Sequence, residues 1–303
     1  MARHYGIPYM WSKQKLVDKI VPFILKRHPE ATDLYDLFGG GGSVSLYAVL
    51  NYPDVTVHYN ELSKAVSALM TYLKDGGEIP HNFVTRSEFE AKWRGDDWYA
   101  GLLQTCWTFG NRTNATYLYG RDLEEFKERL HRTVYDGERN LSWLEDFVRE
   151  RFKREGIKLY LDYDRYTTPY QRRIVLQRQC ADLRIQHLHY LDRLEHIVNM
   201  PGVSELEVTN LSYQDVEISG AKPVLYCDPP YEGTAVYKEG AFDHKAFCDW
   251  VASRDYPVYF NSYEISDKRF KRVKAINTRS LLAASQTKTL KYNYENIYWN
   301  GVS

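Results

Sequence analysis

The chain has 303 residues, with 40 basic and 40 acidic side chains, so its formal net charge is zero and it is not polybasic throughout, although a local basic face remains open. Hydrophobic residues make up 44%, enough for a substantial core, yet no run of about 18 apolar residues exists to span a bilayer. Cys106, Cys180, Cys227 and Cys248 match neither a zinc spacing nor a disulfide framework, and the N-terminus carries no apolar leader, so the expectation is a reduced, cytoplasmic protein.

The spacing of Leu16, Ile20, Phe23 and Ile24 predicts a helix over 12–26 with Ser12 as its cap. Residues 32–38 read as a short buried strand, 39–42 as a glycine loop and 43–50 as a helix. A second strand over 55–59 ends in Asn60 and Glu61, and a helix follows over 63–74. This β-loop-α-β-α unit opens a doubly wound α/β sheet. Strand signals then fade from 76 to 177, where a polar loop bracketed by aromatics (109–120) and a charged helical stretch (141–154) stand out; 177–200 reads as one helix. The α/β pattern resumes with strands at 205–209 and 223–227, a helix at 243–254 capped by Asp243, and strands at 257–260, 273–276 and 295–299. The expected organisation is one catalytic domain, 1–75 plus 201–303, with a mainly helical inserted subdomain over 76–200.

Asp36-Leu-Phe-Gly-Gly-Gly-Gly-Ser43 lies between a strand and a helix, where open α/β sheets bind ligands. A phosphate loop would need Gly-Lys-Ser/Thr, and a dinucleotide fingerprint would need glycine where Val44 stands, so both phosphate readings fail. What remains is a glycine loop preceded by Asp36, with Glu61 ending the next strand. Glu61 is placed to accept from ribose hydroxyls, and an acid beside the loop suits a positively charged ligand such as S-adenosylmethionine. The plainer reading is a flexible turn.

Asp228-Pro-Pro-Tyr231 ends the strand 223–227. Prolines fix φ and remove donors, so the turn presents the Asp228 carboxylate, the Pro229 carbonyl and the Tyr231 ring. Such a turn holds an amino group by its hydrogens while a ring stacks on the planar system behind. The acceptors localise the nitrogen lone pair and stabilise the charge that develops during attack on a methyl donor. The plainer reading is a proline-rich turn with a surface acid.

These residues resemble the Dam-like (alpha-group) DNA adenine-N6 methyltransferases, particularly their phage and prophage relatives. Trp11-Ser-Lys-Gln-Lys15 is similar to the family's amino-terminal Trp-x-x-x-Lys motif, which implies that Trp11 and Lys15 touch the cofactor. Phe38, Gly40 and Gly42 fit the Phe-x-Gly-x-Gly cofactor loop, and Glu61 fits the ribose-binding acid. Ser212 and Tyr213 stand where many members carry Asp-Phe beside the cofactor's adenine, and Asp228, Pro229, Pro230 and Tyr231 fit the catalytic motif, in which Asp228 also borders the cofactor. Arg279 and Glu295-Asn-Ile-Tyr-Trp-Asn300 are similar to the family's closing motifs. The resemblance implies a Rossmann-like, seven-stranded, mostly parallel sheet, S-adenosylmethionine as cofactor (leaving as S-adenosylhomocysteine), and a flipped adenine in double-stranded DNA as substrate. It calls for no metal, and a monomer is the default.

For DNA contact, Arg172 and Arg173 belong to a cluster with Arg165, Arg178 and Arg184, interleaved with Tyr163, Tyr166 and Tyr170. The 109–120 loop offers Asn111, Arg112, Asn114 and Tyr117 for base contacts, and 233–237 offers a lining for the flipped base. A solvated helix face and core packing are the plainer readings of the arginines and of Tyr237. Cytosine-N4 methylation is the nearest competing chemistry, and a non-catalytic DNA-binding relative the competing class. Cytosine-C5 methylation lacks its Pro-Cys pair.

Overall fold

The structure, a computed structural model, describes residues 5–10, 12–111, 116–231, 242–262, 265, 267–279 and 292–302. Trp11, Arg112, Asn114 and the 233–237 stretch lie outside the described residues, as does the Arg279 side chain.

One sheet of seven strands organises the described residues, in the order β3-β2-β1-β4-β5-β7-β6. The strands are β1 (Asp33–Asp36), β2 (Thr56–Asn60), β3 (Glu207–Thr209), β4 (Pro223–Cys227), β5 (Val258–Ser262), β6 (Lys271–Arg279) and β7 (Tyr292–Trp299). The first five run parallel; β7 runs against both of its neighbours, β5 and β6. All four residues of β1 are buried, as a central parallel strand covered on both faces requires. Pro223 sits at the first residue of β4, where a missing N–H is tolerated.

Side chains alternate between the two faces. Leu34, Val57, Tyr226, Tyr259 and Ile297 point into one core. Tyr35, Leu225, Cys227, Val258 and Phe260 point into the other, under Phe247 and Val251 of α10 (His244–Ala252). The expected Asp243 cap is present, its Oδ1 accepting from Ala246 N at 2.9 Å. On the first face lie α1 (Val17–Arg27), α2 (Ser43–Asn51) and α3 (Lys64–Lys74). Helix α1 begins five residues later than its periodicity suggests. Ser12 instead caps a 3₁₀ turn over Lys13–Lys15 through Gln14 N at 3.3 Å.

Between α3 and β3 come α4 (Arg86–Lys92), α5 (Trp98–Cys106), α6 (Glu124–Tyr135), α7 (Ser142–Phe152), α8 (Pro169–Gln179) and α9 (Gln186–Val198). The single helix expected over 177–200 is two elements, broken by a 3₁₀ turn at Ala181–Leu183. The core does not stop at this segment: Leu130, Leu144, Leu176 and Leu191 belong to the same buried cluster as Leu34. Helix α5 lies close on α3, because a Cβ at Gly101 would fall 2.1 Å from the Ala65 carbonyl oxygen. Among the described residues no helix is long and apolar enough to cross a membrane.

Candidate active site

Strand order reverses between β1 and β4, and the crevice outside their carboxyl ends is where this architecture binds ligands. Three acids arrive there: Asp36 ends β1, Glu61 follows β2 and Asp228 follows β4. They line a cavity of about 480 Å³, shared with Phe38, Gly40, Ser212, Tyr213 and Pro230.

The glycine loop is rigid. Gly39 N donates to Asn60 O at 2.8 Å and Gly42 N to Gly39 O at 2.7 Å. Gly40 N donates to Glu61 Oε2 at 2.8 Å, and Tyr59 OH donates to Gly40 O at 2.8 Å. Gly42 has φ 70°, a left-handed conformation that only glycine adopts cheaply, and it opens α2. Ser63 N donates to the other oxygen of Glu61 at 2.8 Å, so two backbone N–H groups fix that carboxylate in the cavity wall. The loop is thus an ordered, hydrogen-bonded element of the cavity wall.

Asp36 is 2% exposed. Ser45 Oγ donates to it at 2.7 Å, but burial dominates and raises its pKa to about 7, with the charges of Asp228 and Glu61 adding to the rise. Three carboxylates around one cavity favour a cation between them. Across the cavity, Phe38 stacks on Tyr213 at 5.3 Å. Asn60 holds that wall in place, accepting from Leu211 N at 3.0 Å and donating to Leu211 O at 3.0 Å.

The Asp228–Tyr231 turn is occupied by a nitrogen of the protein itself. Lys13 Nζ lies 3.0 Å from Asp228 Oδ2, 3.0 Å from Tyr231 OH and 3.7 Å from Glu295 Oε2. Tyr231 OH is 2.5 Å from Glu295 Oε2 and 3.2 Å from Asp228 Oδ1, so one proton serves two carboxylates. Burial raises the Asp228 pKa; Lys13 opposes the rise and Glu295 adds to it. Burial, followed by Asp228 and Glu295, pushes the Tyr231 phenol far up, so it stays protonated.

Lys15, expected at the cofactor, is exposed instead. The 3₁₀ turn aims Lys13 into the cavity in its place, and the expectation is corrected accordingly. Three of the residues expected at DNA are engaged inside the protein. Tyr117 is buried, with its OH donating to Val84 O at 2.7 Å. Arg173 is 4% exposed and ion-paired with Asp192. Arg172 donates to the carbonyls of Val134, Tyr166 and Thr167 at 2.9, 2.9 and 3.0 Å. Asn111 has φ 54° and its side chain donates to Thr105 O at 2.6 Å, so it shapes the loop rather than leaving it. The same loop instead exposes Phe109, at 70%. Arg165, Arg178 and Arg184 of the expected cluster are exposed.

Sequence reasoning missed Lys13, Asn60 and Glu295 as site residues. Only the carboxyl-terminal motif, through Glu295, carried a signal for any of them.

Among the described residues no group of three His, Cys, Asp or Glu side chains is arranged to hold a metal. Comparison with curated proteins gives no match. The sequence model of the family described as D12 class N6 adenine-specific DNA methyltransferase matches residues 9–249, and the chain belongs to this family of enzymes, which methylate adenine N6 in DNA.

Proposed function

We propose that the cavity takes S-adenosylmethionine and that the Asp228–Tyr231 turn holds the exocyclic amine of an adenine turned out of duplex DNA. One observation carries this reading: a nitrogen that donates hydrogens, the Lys13 ammonium, already sits at 3.0 Å from both Asp228 Oδ2 and Tyr231 OH. The acceptors thus bind nitrogen through its hydrogens. The cofactor fits the donor set as well, since a cation relieves the mutual repulsion of Asp36, Glu61 and Asp228.

When bound, the cofactor supplies an electrophilic methyl group on a cationic sulfonium and leaves as S-adenosylhomocysteine. Glu61, fixed by two backbone N–H groups, accepts from the ribose hydroxyls, and the Phe38–Tyr213 wall packs the adenine moiety. Gly40 and Gly42 let the backbone approach, and Asp36 and Asp228 face the positive charge. On arrival of the target adenine, Lys13 swings off Asp228, and the amine takes its place. Asp228 and the Pro229 carbonyl then accept the two amine hydrogens, Pro230 keeps the turn rigid, and the Tyr231 ring stacks on the base. Transfer is direct. The neighbouring Cys227 is no nucleophile: it is fully buried on the opposite sheet face, and burial raises its thiol pKa well above the ordinary value.

We assign residues 76–200 to target recognition. Exposed Arg165, Arg178 and Arg184 supply phosphate contacts, and Phe109 fills the gap left by the flipped base. The test is Asp228→Ala. Transfer should fall by several orders of magnitude with cofactor and DNA affinity retained within about tenfold; transfer at the wild-type rate would refute the assignment.

A further inference from the structure

We propose that the strap formed by residues 5–10 and 12–15 couples the 76–200 segment to the cofactor wall and the amine site, with Arg193 of α9 as its positioning residue. The proposal rests on the cofactor reading above.

The strap has no regular secondary structure before its 3₁₀ turn, so its position depends on what grips it. From one side comes Arg193. Its Nη2 donates to Gly6 O at 2.8 Å, Ile7 O at 3.2 Å and Gln14 Oε1 at 3.1 Å. All three acceptors are neutral and all are reached by one guanidinium nitrogen, so hydrogen bonds rather than an ion pair hold the strap. Asn111 joins from the same segment, its backbone oxygen accepting from Met10 N at 3.1 Å.

From the other side comes the cofactor loop. Ile7 N donates to Gly41 O at 2.8 Å, and Ser12 Oγ lies 2.6 Å from Ser43 Oγ. Contact is so close that a Cβ at Gly6 would fall 2.5 Å from Gly41 O. Beyond these grips the strap delivers Tyr9 and Lys13 to the cavity, and Lys13 reaches Asp228. A displacement of α9 or of Asn111 against DNA therefore moves the cofactor wall and the amine site together. By linkage, DNA then changes cofactor affinity by the same factor as cofactor changes DNA affinity.

The test measures the Kd of S-adenosylhomocysteine by calorimetry, with and without unmethylated plasmid DNA. It compares the wild type with Arg193→Met, Arg193→Lys and Gln14→Ala, after circular dichroism has confirmed folding. In the wild type, DNA should shift the Kd at least about fivefold. In Arg193→Met and Gln14→Ala the Kd without DNA should rise, by about tenfold in the former, and the DNA effect should shrink towards none. Arg193→Lys should recover part of both. Equal Kd and equal DNA effect in the folded variants would overturn the proposal, as would a wild type whose Kd ignores DNA. If Arg193→Met does not fold, Gln14→Ala decides alone. A wild type that binds no S-adenosylhomocysteine would refute the cofactor reading and this proposal with it.

Discussion

Replacing Lys13 by Met removes the ammonium that sits between Asp228 and Glu295, at 3.0 and 3.7 Å. A charge pair at 3.0 Å is worth about 5 kcal/mol at an effective dielectric of about 20. Breaking a buried pair costs about 3–5 kcal/mol in practice, and since a fifth of the Asp228 side chain is exposed the lower end applies. Without the ammonium, burial and Glu295 act on Asp228 unopposed, so its pKa rises further. The sign follows from its function as an acceptor. Asp228 must be ionised, burial and Glu295 already push its pKa up, and Lys13 holds it down. The acid limb of kcat/KM, which reports the free enzyme, should therefore move to higher pH in Lys13→Met and stay put in Lys13→Arg. The plateau above that limb should be kept, because Lys13 leaves the site when adenine occupies it. A limb that stays where it is, or moves to lower pH, in Lys13→Met would refute the reasoning.

Asp36 gives a second pH dependence. With its pKa at about 7, it is largely protonated below neutrality, so S-adenosylmethionine should bind up to about tenfold more weakly per pH unit below 7, relative to S-adenosylhomocysteine, whose sulfur carries no charge; a constant ratio between pH 5.5 and 8 in calorimetry would contradict this. In the free protein the same raised pKa means that this group's stability contribution is lost as pH rises through about 7, which thermal melts should show as a Tm decline that Asp36→Asn abolishes. Gly39→Ala would place a Cβ 2.2 Å from the buried Tyr59 ring; it should cost about 1–3 kcal/mol in denaturant titration and abolish cofactor binding, and wild-type affinity would refute the rigid-loop account. Arg173→Ala should destabilise by about 3 kcal/mol or less, since a third of the Asp192 side chain is exposed, while the folded fraction binds DNA normally. Arg178→Ala should leave Tm unchanged and lower the salt slope of DNA binding by about one; the reverse pattern would restore Arg173 as the phosphate contact.

The sheet was legible because its central strands are short buried runs ending in conspicuous residues: Asp36 before four glycines, Glu61 after an alternating strand, Asp228 before two prolines. Their chemistry depends on position at a strand end, which a sequence displays. The choice of lysine was not legible. The motif resemblance pointed to Lys15, whereas the 3₁₀ turn, with three residues per turn, presents Lys13 instead. The internal partners of two residues offered for DNA were hidden for a related reason. Tyr117 and Arg173 have the types that contact nucleic acid, but Val84 O and Asp192 engage them, and neither partner is near in sequence. The break between α8 and α9 was hidden because Cys180, Leu183 and Ile185 are all buried, which keeps the apolar pattern running through the 3₁₀ turn.

Mass spectrometry of nucleosides from unmethylated plasmid DNA, incubated with the protein and S-adenosylmethionine, bears most directly on the chemistry at Asp228. The account predicts an N6-methyladenine peak with the wild type and none with Asp228→Ala. An N4-methylcytosine peak in its place, or N6-methyladenine at undiminished levels from Asp228→Ala, would contradict it.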